Sequence, residues 1–162
     1  MKRVLKLVGL LVLVALVFGA GWVVAKIGIG AAVPIAQLTD LERQFTEQMK
    51  DSALVGYFTI AGREDRPLRP DRYDISSVQK VGDDRWQFYA KVGESGVSLP
   101  ITVPLQWMGD TPMITMTDYS IPTLGTFTVR VVFYKDRYFG TWQHGNAGGH
   151  MFGKIEKAAA QK

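Results

Sequence analysis

Three patterns of apolar and polar positions follow one another along the chain. The first is a run from Leu7 to Ala25 without a single charge, preceded by Lys2, Arg3 and Lys6 and closed by Lys26. As a helix its 19 positions span about 28 Å, close to the ~30 Å hydrocarbon core of a bilayer. Basic residues are denser before the run than after it, which keeps the N-terminus inside and sends the rest across, and Trp22 suits an interfacial position. Residues 1–33 therefore read as a single-pass membrane anchor with a short tether of small residues, and residues 34–162 as one extracytoplasmic domain. The alternative is a cleaved signal peptide, which would leave the domain secreted; such peptides have shorter apolar regions, about 7–15 residues, and no A-x-A site precedes Ala20.

The second pattern is helical. Thr39 and Glu42 have capping-box spacing, and Leu38, Leu41, Phe45 and Met49 recur at intervals of three and four, predicting an amphipathic helix over 40–50 that packs on the domain. From Ala53 onward the period becomes two. Strands are predicted at 54–61, 73–81, 85–92, 97–107, 113–121, 127–135, 138–144 and 150–157, separated by turn signals such as Gly82-Asp83-Asp84, Gly109-Asp110-Thr111-Pro112 and Gly145–Gly149. Val97, Leu99, Ile101, Val103, Leu105 and Trp107 share one face of their strand. Trp86, Phe88, Ala90 and Val92 form a second apolar face, and Phe127, Val129, Val131 and Phe133 a third. One apolar and one polar face is the signature of antiparallel sheet. Pro100 and Pro104 lack an N–H, so their strand needs an edge or donors that face away from a neighbour. The expectation is an all-β fold, an antiparallel meander of about eight strands, barrel-like or calycin-like, with a sandwich as the alternative and the helix at one end.

Composition narrows the classes. The chain has 162 residues, enough for one domain, and its 47% hydrophobic content excludes disorder. Having no Cys, it can form no disulfides, thiolate zinc sites or Cys nucleophiles. The net charge of +4 comes from Lys2, Arg3, Lys6 and Lys26, and the chain beyond them balances, so no nucleic-acid footprint remains. No Walker loop, dinucleotide fingerprint, H-E-x-x-H or nucleophile elbow is present, and no cofactor is implied.

Candidate chemistry concentrates near the C-terminus. With Gly145–Gly149 as a five-residue hairpin loop, His144 and His150 would face each other, and Tyr138, Trp142 and Phe152 would share their face. Paired imidazoles can hold a metal if a third ligand joins them, for which Asp118 and Asp110 are the candidates; otherwise they stack on aromatics and bond the glycine loop. Arg63, Arg66, Arg69 and Arg72 recur every three residues around Pro67 and Pro70. In polyproline II they would fall on one edge able to meet phosphate head groups, unless Glu64, Asp65, Asp71 and Asp74 pair with them.

Residues 105–155 carry Gly109-Asp110-Thr111-Pro112, Gly140-Thr141-Trp142, His144-Gly145 and Gly148-Gly149-His150. In these residues the segment resembles a group of uncharacterised bacterial membrane or secreted proteins, a resemblance that implies no activity. Gly140-x-Trp142 is also similar to the Gly-x-Trp of lipocalin-like barrels. There the motif opens the first strand, where this chain has Leu54-Val55-Gly56-Tyr57.

The combined expectation is a non-enzymatic, membrane-tethered extracytoplasmic domain that binds a small apolar or amphiphilic ligand or a cell-envelope component. Its ligand-binding candidates are Tyr138, Trp142, His144, His150 and Phe152. The alternatives are a non-catalytic envelope scaffold and a metal-binding protein built on His144, His150 and Asp118.

Overall fold

The structure is a computed structural model that describes residues 14–17, 19, 32–92, 98–121 and 124–157. Of the expected anchor, only 14–17 and 19 lie among these, and they are helical. The rest of that run and its tether as far as residue 31 lie outside the described residues. No helix among the described residues is long and apolar enough to cross a membrane.

Eight strands make the domain: β1 (Ser52–Phe58), β2 (Arg69–Lys80), β3 (Arg85–Val92), β4 (Ser98–Met108), β5 (Thr111–Ile121), β6 (Gly125–Tyr134), β7 (Arg137–His144) and β8 (Ala147–Lys157). Each pairs antiparallel with the next and β8 returns to β1, closing a barrel. The three apolar faces expected from alternation point inward: Trp86, Phe88, Val103, Leu105, Val129, Val131 and Phe133 are all buried. Closure answers the edge problem that an open meander of this length would carry.

Up-and-down order gives the barrel two poles. The 3₁₀ turn Ile35–Gln37 and helix α1 (Asp40–Met49) lie at one, immediately before β1 begins. The capping box forms: the Thr39 hydroxyl accepts from the Glu42 N–H, and Glu42 accepts from the Thr39 N–H. The buried stripe is Leu38, Glu42, Phe45 and Met49, while Leu41 is 39% exposed. A stripe of 38, 42, 45 and 49 keeps a narrower arc than one through 41, and Glu42 can join it because Lys80 meets it at 2.6 Å. Phe45 inserts edge-on among Trp86, Phe88 and Trp107 and lies against Phe133, so the helix plugs this pole. The chain enters here too, with the Val33 N–H donating to the Lys80 carbonyl.

The wall is not uniformly laced. The β4–β5 ladder runs only from Met108↔Thr111 to Leu105↔Ile114, whereas Ser98–Pro104 pairs with β3 alone. The Leu105 N–H donates to Asp84 on the β3 side. Backbone groups alternate sides along a strand, so positions 100 and 104 face β5. Both are proline, and Pro104 stands where the next bond, to Thr115, would form. The expectation that these prolines face away from a paired neighbour is met by an unlaced seam inside a closed barrel. Across the seam β5 bulges between Met116 and Tyr119, with Asp118 at φ 46°, and follows β6 instead.

Candidate functional site

Above the plug the interior holds a cavity of about 380 Å³, roughly a dozen waters' worth of liquid volume. Leu54, Phe58, Ile101, Ile114, Met116, Ile121, Leu124, Phe127 and Trp142 are among its lining residues, and several of them lie at the pole opposite the helix. Among the described residues, Asp71 is the only lining residue that carries a formal charge, and Tyr73 is the only other one with a head that titrates.

Register explains how Asp71 comes to be inside. Tyr138 pairs with Gly153, Gly153 with Gly56, and Gly56 with Asp71, forming one row across β7, β8, β1 and β2. The two glycines leave the space that the Tyr138 ring occupies. A Cβ on Gly56 would come within 2.7 Å of the Tyr138 hydroxyl, and one on Gly153 within 2.7 Å of its ring. The same glycines let neighbouring backbones approach so closely that a Cβ on either would collide with a carbonyl of the adjacent strand. Tyr138 is 1% exposed and its hydroxyl has no hydrogen-bond partner among the described residues.

The electrostatics follow from burial. Desolvation pushes the Asp71 carboxyl above its ordinary range, against the hydrogen bonds from the Tyr73 hydroxyl and the Arg72 backbone, which work downward. Tyr73 is raised by burial, by the Asp71 charge and by its bond to that carboxylate. Burial and then the Asp71 charge push Tyr138 up to about 12. An acid among apolar side chains, with its carboxyl shifted upward by burial, marks this wall as the candidate site.

The residues expected to bind ligand are scattered. Trp142 lines the cavity, and Tyr138 lies inside the barrel but sealed. Gly145 at φ 57° and Asn146 form a two-residue turn, so His144 pairs with Ala147 and His150 with Thr141. The five-residue loop is therefore replaced by a tight hairpin, and the two imidazoles do not face each other. Moving the register by an odd number also turns His150 and Phe152 to the outer face. His144 stacks on Phe127 at 4.4 Å, and the His150 N–H donates to Thr59. Phe152 is 41% exposed and packs on Tyr57. Asp118 sits on the β5 bulge bonded to Thr128, and Asp110 in its turn bonds Thr111. No group of three His, Cys, Asp or Glu side chains that could hold a metal occurs among the described residues.

The arginines do not share one edge. β2 begins at Arg69, and period two puts Arg69 and Arg72 on opposite faces. Arg72 pairs with Asp74 outside, Asp71 turns inside, and Glu64 accepts from the Gly62 N–H. Arg63, Arg66 and Arg69 line a second pocket of about 200 Å³ with His150 and Phe58.

Asp71 was hidden in the sequence by Pro70 and by flanking arginines, which read as loop. The signal lay in carrying the alternation of Tyr73 and Ile75 two residues back, which places Asp71 on the apolar face. Comparison with family models, curated proteins and solved structures finds no match for this chain.

Proposed function

We propose that this protein is a membrane-tethered, extracytoplasmic barrel that binds a small apolar or amphiphilic molecule. The observation that supports this reading is the cavity: about 380 Å³, within the range of small-molecule sites and walled by aliphatic and aromatic side chains. The interior of an eight-stranded barrel is just wide enough to be filled by side chains or to hold one small ligand. Here the small Ala90 stands among the lining residues where a larger side chain would project inward.

The test is uptake of a hydrophobic fluorescent probe. The parent chain is expected to bind one equivalent and to release it to competing amphiphiles. Ala90→Phe, which places a ring in the cavity, is expected to abolish uptake without lowering the melting temperature. Uptake that survives Ala90→Phe would assign the probe to the surface and end the cavity reading.

A second reading, an envelope adaptor, draws support from the outer face. Tyr57, Phe152 and Phe139 pair in a row across β1, β8 and β7 and are 48%, 41% and 49% exposed. Exposed aromatic rows are contact surfaces more often than ornaments. Phe139→Ser with Phe152→Ser separates the readings, since it removes this row and leaves the cavity intact.

A further inference from the structure

We infer that the ligand is a single-chain amphiphile whose head is a protonated amine seated on Asp71, and that chains ending in a carboxylate are refused. This rests on the cavity reading above and names the ligand class for that same site. Among the described residues, the lining side chains with oxygen atoms are Asp71 and Tyr73. An ionised Asp71 carboxylate only accepts, and a phenol oxygen can accept as well. The donors that could have served an anionic head do not reach it. The indole N–H of Trp142 and the Tyr138 hydroxyl are both sealed. Arg69, at the start of β2 and on the same face as Asp71, lines the neighbouring pocket with Arg63 and Arg66 and is not among the residues lining the cavity. No Lys or Arg lies within ion-pair distance of Asp71 among the described residues.

An ammonium carries three donors and a full charge, so it complements both the carboxylate and the phenol oxygen. A hydroxyl head gives one donor and no charge. A carboxylate head would place like charges together in an apolar wall, which costs far more than either. Position fits the same order. Asp71 stands near the start of β2, at the end of the barrel away from α1, while Ile75, Val103, Val131 and Phe133 line the deeper part that would take the chain.

The experiment uses the full-length protein in nanodiscs of zwitterionic lipid, with protein-free discs as the reference. Decylamine, decanol and decanoate, matched in chain length, compete with the fluorescent probe at neutral pH. Half-displacement by decylamine is expected at about one tenth of the decanoate concentration, with decanol between them. In Asp71→Asn, or in Asp71→Ala if the amide variant does not fold, the amine's advantage is expected to shrink to within about twofold while the probe still binds. Decanoate or decanol matching decylamine would overturn the inference, and so would an advantage that persists without Asp71. A parent chain that takes up no probe would overturn the cavity reading, and this inference with it. Uptake without discrimination would overturn only the inference.

Discussion

At the scale of single residues, the two acids with the clearest environments titrate in opposite senses. Glu42 is buried, which alone would raise it, but the Lys80 ammonium and the Thr39 N–H hold it below the ordinary 4.5. Its contribution is present above that value and is lost as the pH falls through the lowered folded value. Asp71 lies above its ordinary 3.8, because burial outweighs its hydrogen bonds. Between 3.8 and its raised value the folded chain holds a proton that the unfolded chain has released, so stability falls as the pH rises through that window. Asp71→Asn should therefore raise the melting temperature of the ligand-free protein at neutral pH and remove the decline across that window. It should leave the acid limb governed by Glu42 in place. Melts across pH 3 to 8 check this, and an Asp71→Asn variant less stable than the parent at neutral pH would contradict it. Neither environment was legible from composition. Glu42 stood out as a capping residue, but its ion pair joins residues 38 positions apart.

At the scale of elements, alternation revealed the strands and their inner faces well, because a barrel wall presents one dry side along its whole length. The starts of β2 and β8 were obscured. Arg69-Pro70-Asp71-Arg72 and Ala147-Gly148-Gly149 have the composition of loops, yet both are held by pairing with neighbours that need no side-chain preference. The prolines of β4 were legible as a missing ladder, and the structure shows which one. Replacing Pro100 and Pro104 with Thr restores two donors facing β5. Each bond gained is worth about 1 kcal/mol, so the melting temperature should rise by ~3 °C per bond. Thermal melts of the double variant check this, and no rise would show that the restored donors find no partner on β5.

At the scale of the whole molecule, the barrel was accessible from the sequence, whereas the cavity was not. Whether inward aromatics fill a barrel or line it depends on which side chains register packs together, and Tyr138 finds its slot only because register sets Gly56 and Gly153 side by side. The absence of Cys makes the topology simple to test. Asn146→Cys, in the β7–β8 turn, is expected to react with a membrane-impermeant maleimide in intact cells, and Lys2→Cys only after lysis. Labelling of Lys2→Cys alone in intact cells would reverse the proposed orientation. The bond from Val33 to Lys80 then gives the molecule a direction. Its N-terminal chain leaves from the plugged pole, and the cavity lining reaches toward the other. Under the proposed reading, a copy held in a membrane by that chain would be a ladle gripped by its handle, its bowl turned to the space beyond and its cargo exchanged there rather than with the lipids that hold it.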